Sequence, residues 1–310
     1  MSNEQITMNK EQLIRSNERL TTGNEKPKRS FYLAKRGFAK FKRNKLAVLG
    51  LTIVAVIILL CVFAPLFTSF DPTEISLRER RQAPGNKHIF GTDSLGRDVF
   101  SRLLFGGRMS ILIGLSGAAG GMILGIVFGS LCGYFGGRAD AIVIKATELI
   151  AVIPQLLLNL VLVLIAGQSI RNLILVFTFT GWIATFRLVR GRFFSLREES
   201  FVEACRAFGI GSLSIIFRHI LPNCLGPVVV QFTLNTAGFI LTEAALSFIG
   251  LGVPTGTPTW GNVINAAKEI IIITENPWLW IFPGFAIALF VLGVNFFGDG
   301  LRDLLDPGQI

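Results

Sequence analysis

Charge is scarce in this 310-residue chain, at 16% Asp, Glu, Lys and Arg, where soluble chains carry about 25%. Tyrosine and histidine are rare, with two of each. The histidines, His88 and His219, stand alone in the sequence, and the four cysteines, Cys61, Cys132, Cys205 and Cys224, show no paired spacing. That arrangement argues against a zinc-type ligand set and against a disulfide scaffold. A Gly-x4-Gly-Lys-Ser/Thr phosphate loop is missing as well, so the nucleotide chemistry such a loop supports is not expected of this chain.

What is present is apolar bulk. Hydrophobic residues make up 51% of the chain, glycine numbers 33, and phenylalanine, at 27, far outnumbers tyrosine. The mixture suits a hydrocarbon solvent, where apolar side chains face lipid and glycine lets helices approach closely. The net charge of +10 would point to nucleic acid in a soluble protein. Here 12 of the 30 Lys and Arg residues fall between Lys10 and Lys45, beside the first apolar run, and no aromatic-basic RNA signature accompanies them. This clustering reads as a topogenic signal, with the amino terminus cytosolic, and no nucleic-acid partner is expected.

Residues 1–30 are polar and aperiodic and read as a disordered cytosolic tail. From Phe31 to Lys45 aromatics alternate with bases, as in a segment lying on an anionic membrane surface. Leu46–Phe67 is free of charge for 22 residues, about 33 Å as a helix and enough to span. Further apolar runs cover Met109–Tyr134, Ile142–Ala166, Leu173–Leu188, Pro222–Leu251 and Leu279–Phe297. The expected fold is therefore all-α, with six transmembrane helices and both termini cytosolic. Residues 1–45 form the tail, 46–67 the first span and 68–108 an extracytoplasmic loop. A core of five spans then covers 109–298, with a cytosolic connection at 189–221 and a cytosolic end at 299–310. The seven basic residues of the 68–108 loop run against this orientation; the larger amino-terminal cluster decides it.

Two patterns carry more information than hydropathy. Gly117, Gly121, Gly125, Gly129 and Gly133 recur every four residues, a row without side chains against which a second helix can pack. The connection from Arg187 to Pro222 is too polar to span and too long for a tight turn. Its acids Glu198, Glu199 and Glu203 precede the base Arg206, as a helix dipole favours, and small residues follow. A compact helix with a small face suits docking into a cleft of another protein.

Within that connection Glu203-Ala204-Cys205, Gly209, and then Ile220, Leu221 and Pro222 resemble the "EAA" loop of ATP-binding-cassette importer permeases. Cys205 stands where the general pattern has a second alanine, and His219 where it has isoleucine. The run Arg218 to Asn223 resembles the peptide-importer version of the loop. The stretch beginning Phe90-Gly91-Thr92-Asp93 is similar to the segment preceding the permease core in dipeptide, oligopeptide and nickel importers. Asp140, Lys145, Glu148 and Pro154 resemble the family's third span. Leu246 to Gly252, Pro254, Pro258 and Trp260-Gly261 resemble its fifth-span exit and outer loop. Agreement covers residues 36–308.

The resemblance implies the type I importer permease fold in a prokaryotic cytoplasmic membrane. The implied partners are a homologous second permease, two cytosolic ATPase subunits that bind the ATP and magnesium, an extracytoplasmic binding protein, and lipid. No cofactor or metal is expected on this chain, and catalytic residues none. Di- or oligopeptides are the expected cargo, with a nickel complex as the alternative. An ion-coupled secondary transporter is the rival class, with Glu148 and Glu243 as carriers, but the inverted repeats such a transporter should show are not evident. Glu203, Ala204, Cys205, Gly209, Leu221 and Pro222 are the ATPase-coupling candidates, and the five glycines a packing row. Glu148 and Glu243 are pathway or structural candidates. Asp93, Arg97 and Asp98 divide between loop structure and contact with the binding protein. Glu243-Ala244-Ala245 spells the loop motif literally but lies inside an apolar run, so it is rejected as the coupling loop.

Overall fold

The computed structural model describes residues 44–305, the side chains of residues 270 and 271 excepted. The basic segment before Asn44 and residues 306–310, both assigned to the cytosol above, lie outside the described residues. The described residues hold no strand; Thr92 and Asp98 form an isolated antiparallel bridge.

Helix α1 (Lys45–Val62) is apolar throughout, with Ala47, Gly50 and Cys61 buried. Pro65, near the start of the short α2 (Ala64–Phe67), has no N–H to continue the helix. Helix α3 (Val99–Phe135) runs for 37 residues, about 55 Å at 1.5 Å per residue. It is followed by α4 (Gly137–Ala151), α5 (Gln155–Ala166) and α6 (Ile170–Leu196). Short α7 (Ser200–Ala207) and α8 (Ser212–Ser214) lead through a π-wound turn, Ile215–Ile220, into α9 (Leu221–Ile249). The chain closes with α10 (Trp260–Asn265), α11 (Ile270–Glu275) and α12 (Trp278–Leu305).

Five segments are long and apolar enough to cross a membrane unbroken: α1, α3, α6, Ser212–Ile249 and α12. The remaining expected span, Ile142–Ala166, is two helices. Helices α4 and α5 meet at 93°, and they make a sixth crossing only when taken together. Pro154 sits at the break and pushes the residue before it away from helical geometry. The expected start of the second span also moves: helix begins at Val99, so residues 99–108 leave the loop assigned above and join α3. Arg102 and Arg108 hid this start by interrupting the apolar pattern. Their charges are accommodated by backbone carbonyls: Arg102 donates to Pro72 at 2.9 Å, and Arg108 donates to Cys61 and Val62 at the end of α1.

The α3–α6 contact is the most extensive in the fold. A Cβ placed on Gly117, Gly125, Gly129 or Gly133 would meet the Cβ of Phe177, Thr185, Val189 or Phe193 at 2.5 to 2.8 Å, and one on Gly121 would meet the Gly181 backbone at 2.9 Å. The α6 residues recur every four positions in the same order, so the helices run parallel. Removing side chains from one ridge lets the other seat against backbone. The row thus packs within the chain.

At the end of the bundle where α3 begins, residues 68–98 are tied together by two acids. Asp98 caps α3, accepting from the Ser101 amide at 2.7 Å, and meets His88 Nδ1 at 2.9 Å. Asp93 accepts from the amides of Leu95 and Arg97 and from Arg97 Nε at 2.7 Å. Both acids are buried. Lys87, beside Glu79, holds that carboxyl below its usual range. Substituting Gly125 by Leu should overpack the helix interface by about 3 kcal/mol or more. Leu at Ile123, whose side chain is 57% exposed, should be tolerated. The amount of folded permease recovered from membranes by size-exclusion chromatography in detergent checks this; equal recovery would contradict the packing account.

Candidate functional site

At the opposite end, α6 terminates at Leu196 and the chain turns across the bundle. The ring of Phe194 lies between two cations, with Arg190 at 4.7 Å and Arg197 at 4.1 Å from its centroid. Arg190 also forms a two-pronged pair with Asp140 of α4, at 2.5 and 2.6 Å. This geometry suits guanidinium and carboxylate and fixes the start of α4 to α6. Lys145 and Glu148, by contrast, meet at 3.7 Å with side chains 81% and 57% exposed, an arrangement of little energetic worth.

Helix α7 is pinned from beneath. Val202 is wholly buried in a cluster with Tyr134, Val189, Phe193, Ile215, Ile216 and Ile220, against which Cys205 and Ile210 also pack. Arg206 lies 5.4 Å over the Tyr134 ring. The helix stop is a Schellman motif. Gly209 takes φ +74°, its amide donates to Arg206 at 3.0 Å, and the Ile210 amide donates to Cys205 at 3.0 Å. A Cβ at Gly209 would touch nothing within 4 Å. Backbone conformation therefore requires glycine here, not lack of space. The side chain of Cys205 faces the cluster alongside Ile210, so a slightly larger residue than alanine is accommodated.

The rest of the segment faces outward. Glu203, Ala204 and Ala207 are exposed, and among the described residues no cation pairs with Glu203. Phe208 is 85% exposed and Leu213 61%. Sequence reasoning missed Phe208, a bulky apolar residue beside the turn; its signal was its place between the helix and Gly209. After α8 the winding widens, with the Leu221 amide donating back to Ile216. Pro222 follows, lacking the amide that would close the next helical turn. Leu221 is half-buried and Pro222 exposed. The site is a small platform anchored in the core, with an apolar knob and, among the described residues, an unpaired carboxylate.

The literal motif sits elsewhere. Glu243 is fully buried in α9, where Ser110 of α3 and Ser247 each donate to it at 2.8 Å. Ser110 in turn accepts from the Trp260 amide at 3.1 Å. Glu243 therefore links α3, α9 and α10. The structure does not bring Glu148 near it: Glu148 is exposed on α4. Asp93 and Asp98 belong to the loop network at the other end.

Residues 125–310 match the family described as the binding-protein-dependent transport system inner membrane component. Residues 33–84 match the N-terminal TM domain of oligopeptide transport permease C. The chain belongs to this permease family. Among curated relatives, the permease is 41% identical over 273 residues to the dipeptide transport system permease protein DppC of Alkalihalophilus pseudofirmus, covering 88% of this chain and 89% of that one. It is 38% identical over 280 residues to the oligopeptide transport system permease protein OppC of Bacillus subtilis, covering 90% and 91%. To OppC of Haemophilus influenzae it is 37% identical over 270 residues, covering 86% of each. The permease is the membrane component of its transport system, and the ATPase is a separate subunit.

Replacing Gly209 by Ala should cost about 1 kcal/mol in the helix stop, because an L-residue is strained in the left-handed region. Asn, which tolerates that region, should cost less. Hydrogen exchange at Phe208 to Ile210 should accelerate roughly fivefold for the Ala variant, and equal rates for wild type, Ala and Asn would contradict the assignment.

Proposed function

We propose that this permease pairs with a homologous second permease above two cytosolic ATPase subunits, receives cargo from an extracytoplasmic binding protein, and imports di- or oligopeptides by ATP-driven alternating access. One observation supports the coupling role above others. The 200–213 segment exposes Phe208, Leu213 and Glu203 while the opposite side is locked into the core by Val202, Cys205 and Ile210. A docking element must be both protruding and rigid, because a flexible one would absorb the ATPase movement instead of passing it to the helices. The rigid stop at Gly209 and the cluster at Tyr134 satisfy the second need; the apolar knob satisfies the first. Relatives named as dipeptide and oligopeptide permeases support the cargo class.

The same reading orients the permease. The 197–221 segment faces the cytosol with the ATPases, and residues 68–98 face outward with the binding protein. Asn86 and Ser195 are both exposed. In a background without the native cysteines, a cysteine at 86 should react with an impermeant thiol reagent in intact wall-stripped cells, and one at 195 should not. Labelling of 195 from outside would overturn the orientation.

Coupling is tested by copurification. Phe208→Ala removes a side chain that makes almost no internal contact, so the permease should insert and pair normally. Loss of ATPase affinity should reach about 2 kcal/mol, the scale of an aromatic hot spot. Gly209→Asp should act in the same direction, whereas Glu243→Gln should retain the ATPases. Full ATPase retention by both loop variants, normalised to inserted permease, would place the docking site elsewhere.

A further inference from the structure

Helix α9 leaves one stripe partly open, and polar residues lie along it. The open face of α1 is mostly aliphatic, with Leu46, Leu49, Val56, Leu59 and Val62 exposed and the exposed Thr52 hydroxyl donating to the Val48 carbonyl at 2.8 Å. Along α9 the stripe runs through the exposed Asn223, Leu234, Gly238 and Leu241 and the half-buried Gln231 and Thr242. Polar groups within a span face a bundle interior or a water-filled cavity. The end of this stripe nearest the 197–221 segment opens into a cavity of about 390 Å³ between α6, α9 and α12. Arg192 and Arg302 line it, beside Asn223 and Gln231, with Leu188, Val230 and Leu234 as apolar wall. Among the described residues neither guanidinium has an ion-pair or hydrogen-bond partner, although Arg190 and Arg197 close by are both paired. The Gln231 amide nitrogen donates to Asn235 at 2.9 Å, which leaves its carbonyl oxygen open.

We infer that this cavity is an exit-side station for the carboxylate terminus of a peptide, with Arg192 and Arg302 as its cationic partners and the Gln231 carbonyl as acceptor for a peptide N–H. The inference rests on the peptide-import reading and adds to it where in the chain the cargo is held. A terminal carboxylate is the one anionic group that all linear peptides share, so a site built on it accepts many sequences. The apolar wall takes side chains without selecting among them. Both arginines are exposed, so water and salt screen the attraction. The hold is weak, as a station on a path must be for cargo to leave. The same charges repel a bare divalent cation.

The test uses the whole complex in nanodiscs, without binding protein and without transport, so that its failure is distinct from failure of the import reading. In a background lacking the native cysteines, Gln231→Cys and Leu234→Cys report access to the cavity by their rate of thiol labelling. Millimolar N-acetyl-trialanine should slow labelling at least twofold at one or both positions. Its C-terminal amide should protect much less, and Arg192→Gln with Arg302→Gln should abolish the difference. Equal protection by acid and amide, or protection by neither, overturns the inference. So does slowing that follows the anionic lipid content of the nanodisc and not the peptide, which would assign the cavity to a phospholipid headgroup. No labelling at either position in an assembled complex would mean that the cavity is closed to water, and would overturn it too.

Discussion

The close approach of α3 and α6 is the constraint on which the functional end of the molecule depends. Five glycines bring the backbones together over a long, parallel contact, and in hydrocarbon such packing must supply much of what the hydrophobic effect supplies in water. Its last rung sets the platform. Gly133 receives Phe193, the neighbouring Tyr134 joins Phe193 in the cluster beneath α7, and α6 ends three residues later. A slip of α6 by one turn along the row would carry Phe193 away from Tyr134 and move Val202 off its seat. Helix contact inside the bundle and orientation of the surface segment are thus one problem.

Much of this was legible in the sequence because it is written in local terms. Runs without charge, a four-residue glycine period and a small-residue segment followed by Leu221-Pro222 are patterns along the chain. What escaped depends on partners distant in sequence. Arg102 and Arg108 looked like loop residues until the carbonyls of Pro72, Cys61 and Val62 gave them destinations, and α3 therefore starts earlier than hydropathy says. The run from Ile142 to Ala166 is apolar enough on average to read as one span despite Lys145 and Glu148, yet the backbone turns by 93° within it. Hydropathy counts side chains and is blind to a missing amide at Pro154. Asp140 is recognisable as an acid near a span, but nothing local names Arg190 as its partner. Phe208 passed for an ordinary apolar residue because exposure is not a property of composition.

The two Glu-Ala segments show how far a motif carries meaning. Both run into a glycine at positive φ and a Schellman stop: Gly209 at +74° after α7, and Gly250 at +88° after α9, where the Leu251 amide donates to Leu246 at 2.8 Å. Local backbone chemistry is thus nearly the same. The carboxylates differ wholly in setting. Glu203 stands in the open, whereas Glu243 is enclosed and satisfied by Ser110 and Ser247. A side chain with two serine donors and no exposure serves to join three helices. The letters are shared; the environments divide the roles.

The pairing of α1 with α12 bears on the order in which the molecule is made. Gly50 and Gly293 meet at the crossing, where a Cβ on Gly50 would come within 2.6 Å of the Gly293 carbonyl, and α1 packs mainly on this last helix. Ribosomes add about 5–20 residues per second, so α1 waits on the order of ten seconds or more for its principal neighbour to emerge. During that interval it stands in the membrane with its helix-packing groove open. Its aliphatic surface and near-absence of polar groups make the wait tolerable, since lipid alone can solvate it. Closure of the bundle is therefore a late event in biosynthesis, and any other helix with a small-residue face could occupy Gly50 before α12 arrives.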